Sequence, residues 1–398
     1  MTPHLQILPG NPSFLDLPWD RSIASWEGPP IVEMPTGVHR HPVVFVSYQE
    51  GVYAIKELPT RYAQREFDAL RTLSDRTTKS ARPAGLVQRD WLDPHTEGSG
   101  AVITRYVNHA FPYRELVTGN GFGDRRDQVL DALAGLLVEL HLAGCHWGDC
   151  SLSNALYRYD AGAIEAIMID AETTELHPAL SEGQRIHDLE IMTENLAGDM
   201  ADIAAEYETS VEDADLVFGR EVAERYQQLW DELGEDLVIN ATEGYLIRER
   251  VARLNELGFS VADVELIPTE EGNQVRMTAR VGGRTFHSQR LRELVGIDAS
   301  ENQARHLLSD INYYLGKHGE ASDSGKAVAM VRWRLGVFEP IIERIAAAWH
   351  GDDPIQGYTD LLHFRMSLAS ARGADVPNDE AFDEWVAKDF PGFEPDAS

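Results

Sequence analysis

Between residues 31 and 107 the apolar positions come in short runs broken by polar turns. IVEM, VVFVSY and GVYAIKEL, separated by PTGVHRHP and QEG, predict three strands of an antiparallel meander. Pro59 and Thr60 then open a helix, RYAQREFDALRTL, in which Glu66, Leu70 and Leu73 share one face, so the glutamate is expected to point inward. GLVQRDWL and GAVITRYV read as strands that complete the sheet, with a connecting hinge near Thr104 to Val107. Leu130, Leu133, Leu137 and Leu140 mark an amphipathic helix stopped by Gly144. The loop CHWGDCSLSN follows, and then NALYRY and AIEAIMID flank a DAG turn as a hairpin. Asp170 and Glu172 fall at the end of its second strand and, by alternation, on one side of it.

From about Gly183 the pattern turns helical, through QRIHDLEIMTENLAGDMADIAAEY, REVAERYQQLWDELG and YLIRERVARLNELG. VADVELIPTE and NQVRMTARVGGRTFHS interrupt it as strands, with Gly282 and Gly283 at a tight turn. Helices resume with ENQARHLLSDINYYLGKHG and AVAMVRWRLGVFEPIIERIAAAWH. The organisation expected is a lead-in over 1–30, a first domain over 31–210 with a small lobe to 107 and a large lobe from 108, and a mainly helical domain over 220–398. The lead-in, rich in Pro, Trp and Gly, is read as irregular but packed, covering an edge.

Composition narrows the function classes. With 398 residues, 43% hydrophobic and 25% charged, the chain has the makings of more than one globular domain and no sign of extended disorder. No apolar run reaches the length of a membrane span, and the N-terminus lacks the order of a signal peptide, so a cytoplasmic location is expected. Two cysteines, Cys145 and Cys150, are too few for a disulfide framework and are read as small buried thiols. A formal charge of −31, from 66 acidic and 35 basic residues, argues against nucleic acid as a partner. It leaves room for a nucleotide in a cleft whose local cations and metal neutralise the phosphates.

Phosphoryl transfer from ATP needs a cation on the phosphates, carboxylate and amide ligands for Mg²⁺, and a group that orients the attacking hydroxyl. The chain offers these in order. Lys56, in YAIKEL on the third strand, resembles the V-A-I-K lysine that reaches the α and β phosphates, and Glu66, ten residues on, is its candidate ion-pair partner. In HWGDCSLSN, Asp149 and Asn154 stand five apart, like the acid and amide of H-R-D-x-x-x-x-N. Asp170, sixteen residues further, is the expected principal Mg²⁺ ligand, with Glu172 able to supply another oxygen.

On these residues, the segment from about 31 to 200 resembles the protein-kinase-like superfamily, nearest to its lipopolysaccharide-kinase and aminoglycoside-phosphotransferase branches. The whole chain, with LDLPW, ENQARHLLSDI and FEPII, is similar to actinobacterial proteins whose C-terminal half is known only as a domain of unknown function. The resemblance implies an α+β, bilobal kinase-like fold, a small antiparallel sheet plus helix and then a helical lobe, followed by a mainly helical accessory domain with a small β-hairpin. It implies ATP and Mg²⁺ as cofactors, Lys56 and Asp149 as catalytic residues, and Asn154, Asp170 and Glu172 as metal ligands. Lys56, Glu66, Gly37, Thr104 and Tyr106 are the nucleotide-binding candidates.

The chain also departs from the family pattern. PTGVHRHP stands where a G-x-G-x-x-G loop would, so Gly37 with His39, Arg40 or His41 has to cover the phosphates. His146 precedes Asp149 by three residues instead of two, D-A-E replaces D-F-G, and no A-P-E follows. Only eighteen positions separate Asp170 from Asp188, which leaves little room for docking a peptide and favours a small hydroxyl acceptor. Asp188, in RIHDLE, is read as the helix acid that holds the catalytic loop's backbone. The predicted activity is an ATP- and Mg-dependent phosphotransferase acting on a small molecule, sugar or lipid. The alternatives are a pseudokinase-like nucleotide-binding module that presents the C-terminal domain to a protein partner, and nucleotidyl transfer to protein by the same residues. In the second half, Arg276 and Arg280 alternate with Val275, Met277, Ala279 and Val281, giving one hairpin a basic face that Arg284, His287 and Arg290 extend.

Overall fold

The computed structural model describes residues 2–34, 41–118, 121–240, 243–269, 274–318 and 322–393. Its chain forms two compact units, 1–158 with 165–231 and 159–164 with 232–398.

The first unit opens on strand β1 (His4–Ile7), continues through β2 (Ile31–Val32), β3 (Val43–Tyr48) and β4 (Gly51–Leu58) to helix α1 (Thr60–Ser74), and returns through β5 (Pro83–Gln88) and β6 (Gly100–Arg105). These strands make one antiparallel sheet in the order β1-β5-β6-β4-β3-β2. Strand alternation decides what each side chain of β4 does. Tyr53 and Ile55 are fully buried on one face, while Ala54 and Lys56 line a cleft on the other.

The lead-in does more than cover an edge. His4–Ile7 adds a strand beside β5, and Phe14, Trp19 and Trp26 pack with Tyr53, Ile55 and Ile103 on the face away from the cleft. Burying each large aromatic contributes on the order of 2–3 kcal/mol. Arg89 locks the lead-in down. It pairs with buried Glu57 and donates from Nε to Trp19 O at 2.8 Å and from Nη2 to Arg21 O at 3.1 Å.

Helix α1 begins directly after β4 because Pro59 pre-sets the backbone and Ser99 Oγ accepts the Thr60 N–H at 2.9 Å. Its apolar face, Ala63, Phe67, Leu70 and Leu73, carries Glu66 inward with it. Helix α1 and β6 pack so closely that a Cβ on Gly100 would stand 2.8 Å from the Thr60 Cα.

The helical lobe follows with β7 (Phe111–Pro112), α2 (Arg126–Leu142), β8 (Cys145–His146), β9 (Ala155–Asp160), β10 (Ala163–Met168), β11 (Glu175–Leu176), α3 (Glu182–Glu206) and α4 (Asp213–Gly234). Helix α2 is buried on more than the one face its leucines predict, since Ala132, Ala134, Val138, Glu139 and His141 are inside as well. It is the central helix of this lobe. By its contacts α4 belongs largely to the first unit, where Phe218 packs near Phe122 and Tyr226 meets His141.

In the second unit a three-stranded sheet in the order β12-β14-β13 is built from β12 (Leu237–Asn240), β13 (Val261–Pro268) and β14 (Gln274–Val281), with α5 (Tyr245–Glu256) between the first two. Two expectations change here. LVIN supplies a third strand, and after Gly282 and Gly283 the residues FHS start helix α6 (Phe286–Val295) instead of continuing as a strand. Arg276 and Arg280 are exposed with Met277 buried between them, but Arg284 and His287 do not extend that face. Arg284 Nε donates to Leu257 O at 3.0 Å, and His287 Nδ1 lies 2.8 Å from buried Glu301.

Helices α7 (Glu301–His318), α8 (Asp323–Trp333), α9 (Glu339–Ala348), α10 (Pro354–Arg372) and α11 (Asn378–Ala387) close round Trp333, Trp385, Tyr358, Leu307 and Ile345. The long helical stretch predicted over 327–350 is broken by a π-helical turn at Arg334–Phe338. Among the described residues no helix is long and apolar enough to cross a membrane.

Candidate functional site

Four predicted side chains meet on the cleft face of the sheet. Lys56 Nζ lies 2.8 Å from Glu66 Oε2, 2.9 Å from Asp170 Oδ2 and 3.9 Å from Glu172 Oε2. The lysine comes from β4, the glutamate from α1 and the other two from the segment after β10. Glu66, Asp170 and Glu172 each present an oxygen within 4.8 Å of the others. Asp170 and Glu172 converge for a reason other than strand alternation. Strand β10 ends at Met168, and a local turn in which Glu172 N–H donates to Asp170 Oδ1 at 3.1 Å brings the two together.

The electrostatics follow from burial. Glu66 is fully enclosed, and this pushes its carboxyl up to about 7, although Lys56 pulls the other way. Burial alone would lower the Lys56 ammonium, but Glu66 and Asp170 outweigh it and hold the lysine charged well above its usual range.

The loop between α2 and β9 is braced from below. Gly144, at φ +76°, turns the chain where a Cβ would clash with His177 O. Cys145 and His146 pair with Leu176 and Glu175. Asp188 accepts the Trp147 N–H at 2.7 Å, the Gly148 N–H at 2.8 Å and a bond from His141 Nε2 at 3.0 Å. Burial pushes the Asp188 carboxyl up, but these donors hold it below the usual carboxylate range. Trp147, wholly buried, donates from Nε1 to Asp170 O at 3.0 Å, so the loop and the acid share a brace. Cys145 and Cys150 are buried, and burial pushes both thiols up.

Asp149 and Asn154 are brought together. Asn154 Nδ2 donates to Asp149 O at 2.9 Å and to Asp149 Oδ2 at 3.0 Å, and Ile169 N donates to Asn154 O at 3.0 Å, which sets Asn154 beside the Asp170 segment. Lys56, Glu66, Thr104, Tyr106, Asn154 and Asp170 line one cleft of about 860 Å³ including its open mouth. Val43, Phe45, Ala54, Val102, Leu156 and Ile169 supply its apolar walls. A slot with apolar walls and charged groups at one end suits a planar base carrying phosphates. Gly37, His39 and Arg40 lie outside the described residues.

Three contributors escaped the sequence reading. Asn195 of α3 donates from Nδ2 to Asp149 Oδ1 at 3.0 Å, and Asp199 accepts the Leu152 N–H at 2.7 Å. Burial pushes the Asp199 carboxyl up to about 6. The histidine that supports Asp188 is His141 of α2, whereas His146, on β8, lies near His187 with the two rings tilted. The only signal for Asn195 was its place about two helical turns after Asp188, on the same face of a polar stretch, which has no meaning until α3 is laid under the loop.

Residues 49–214 match the lipopolysaccharide kinase (Kdo/WaaP) family, and residues 228–390 match a domain of unknown function, DUF4032. The chain therefore joins a segment similar to a kinase family to a C-terminal segment similar to a domain of unknown function, as its sequence resemblance implied. No curated protein matches it. A solved structure described as WaaP in complex with acyl carrier protein is similar at 14% identity, over 57% of this chain and 87% of that one, with a TM-score of 0.33.

Proposed function

We propose that the first unit is an ATP- and Mg²⁺-dependent phosphotransferase that acts on a hydroxyl of a small molecule, sugar or lipid. The observation that carries this reading is the Lys56 ammonium held 2.8 Å from Glu66 and 2.9 Å from Asp170 at the charged end of the cleft. Glu66, rigid on α1, orients the lysine toward the phosphates, while Thr104 and Tyr106 line the part of the cleft that takes the base.

The donor set fits a hard divalent cation. Asp170 and Glu172 offer carboxylate oxygens and Asn154 an amide, and Glu172 Oε2 is buried with no hydrogen-bond partner, an acceptor with capacity to spare. Bound there, Mg²⁺ would neutralise charge on the phosphate oxygens. Asp149 is held by two amides, which fixes the direction of its carboxylate. It orients the acceptor hydroxyl and takes its proton as that oxygen bonds to the γ-phosphorus and the bond to the ADP oxygen breaks. The short segment from Asp170 to Ser181 is tied down. Arg65 Nη2 donates to Thr173 O at 2.9 Å and Arg76 Nη1 to His177 O at 2.9 Å, which favours a small acceptor over a peptide.

The test is melting with ATP and Mg²⁺ on the wild type and on Asp170→Ala, followed by ATP turnover with cell extract as the source of acceptor. The wild type should be stabilised and Asp170→Ala should not. One observation favours the pseudokinase-like reading: PTGVHRHP stands where a G-x-G-x-x-G loop would cover the phosphates. Stabilisation of the wild type without turnover would select that reading, and a product heavier by a nucleotide would select nucleotidyl transfer.

A further inference from the structure

Asp188 of α3 holds the turn before Asp149 through three donors, and two of them belong to the loop itself, the N–H groups of Trp147 and Gly148. The third, His141 Nε2 at 3.0 Å, comes from α2. The same imidazole is tied at its other nitrogen, since Nδ1 lies 2.8 Å from the Tyr226 hydroxyl on α4. All three side chains are enclosed, with Tyr226 1%, His141 2% and Asp188 0% exposed. The Tyr226 ring meets His141 edge-on at 5.2 Å and stacks on Trp230 at 5.6 Å, which fixes where its hydroxyl points.

The direction of each proton follows from its partners. Burial pushes the His141 imidazole down, more than Asp188 pulls it up, so the ring is neutral and carries a single N–H. A carboxylate only accepts, so that N–H sits on Nε2 and points at Asp188. Nδ1 is then a lone pair, and Tyr226, whose proton burial retains against the pull of Arg185, donates to it. The bonds run one way, from the Tyr226 hydroxyl through His141 to Asp188 and so to the peptide next to Asp149. Without the hydroxyl, Nδ1 is a buried acceptor with no donor. The imidazole relieves that only by turning or by moving its proton, and either takes the Nε2–H away from Asp188. We infer that Tyr226 is a positioning residue, which through His141 keeps Asp188 firmly on the Trp147–Gly148 turn and so sets the placement of the Asp149 carboxylate. This rests on the reading of the cleft as a phosphotransferase site and adds to it a residue of α4 from beyond the matched segment.

The experiment measures turnover against ATP concentration, with cell extract as the source of acceptor, at a temperature where every variant is folded. Tyr226→Phe removes one oxygen atom and should lower the maximal rate about tenfold with the half-saturating ATP unchanged. The melting shift with ATP, titrated with Mg²⁺, should not move either. Phe218→Leu trims the packing of the same helix against Phe122 and Arg126, and its maximal rate should equal that of the wild type. His141→Gln offers Asp188 an amide N–H that has no tautomer to lose, so adding Tyr226→Phe in that background should cost nothing further. NMR of the protein with isotope-labelled histidines gives a readout independent of turnover. The signal that His141→Gln removes should report a proton on Nε2, and its Nδ1 resonance should shift in Tyr226→Phe. An unchanged rate in Tyr226→Phe, an equal fall in Phe218→Leu, a further loss in the His141→Gln background or a wild-type proton on Nδ1 overturns the role given to Tyr226 and leaves the cleft reading intact. A wild type that turns over no ATP overturns the phosphotransferase reading, and the role of Tyr226 with it.

Discussion

Two buried polar clusters, one in each unit, are built to opposite plans. In the second unit Asp160, 2% exposed, accepts from Ser300 Oγ at 2.6 Å, Asn302 N at 3.1 Å and Gln303 N at 2.8 Å, so it caps α7 with its oxygens fully used. Beside it Gln356 Oε1 accepts from Ala161 N and from Gln303 Nε2. In the cleft of the first unit three carboxylates share one ammonium, and Glu172 Oε2 has no hydrogen bond and no cation closer than 3.9 Å among the lysines and arginines of the described residues. Folding alone favours the first arrangement, because a buried acid without donors costs free energy. A cluster left short of positive charge is one that a ligand can complete. Asp188, with three donors, shows that the first unit also builds the saturated kind where its task is to hold backbone.

If that contrast is right, Asp149→Ala should give the largest effect. Turnover should fall about 10²- to 10⁴-fold while the melting shift with ATP and Mg²⁺ persists, which steady-state kinetics and melting curves would check. Next comes Lys56→Met, which removes the shared ammonium and should destabilise by roughly 3–5 kcal/mol in chemical denaturation near pH 8. Glu66 ionises in the folded wild type only at about 7, above its unfolded value near 4.5, so the folded state binds the extra proton. Stability therefore falls as pH rises through that window, and the loss in Lys56→Met should be greatest above it and small near pH 5. Adding Glu66→Gln should restore most of the stability without restoring the response to nucleotide.

Breaking the saturated cluster should look different. Asp160→Ala strands three donors and should cost roughly 2–3 kcal/mol by denaturant melts, with the Mg²⁺ titration unchanged. A shifted titration would erase the distinction between the two clusters. The smallest effect is expected at Asp360, whose carboxyl burial pushes up to about 7 despite a bond from Gln356. Its unfolded form ionises first, so the wild type should lose stability between about pH 4 and 7. Asp360→Asn should lack that fall and gain on the order of 1 kcal/mol at pH 8, with no gain at pH 4.

Much of the candidate site could be read from the chain because its chemical groups are carried by local features. A strand lysine, an inward helix glutamate, an acid and amide five apart and an acid after a hairpin are each visible in a short window, and their order carries the rest. Asn195, His141 and Asp199 were not visible in this way. Each is an ordinary polar residue on a helix whose meaning comes from a partner 40 or more positions away in sequence. The helix that replaces the expected strand at FHS was lost because Gly282 and Gly283 suit a tight turn whichever element comes next.

Sequence alone determined the alternation that turns Lys56 away from Tyr53 and Ile55, the turn residues that start α1 and stop α2, and the identity of the chemical groups. These follow from side-chain period and backbone preference, which act over a few residues. Tertiary structure alone decided that the lead-in would seal the outer face of the sheet and that Asp188 would be saturated while Glu172 was left wanting. The balance of charge against donors at a buried point is a sum over elements far apart in the chain, and it exists only once they have packed.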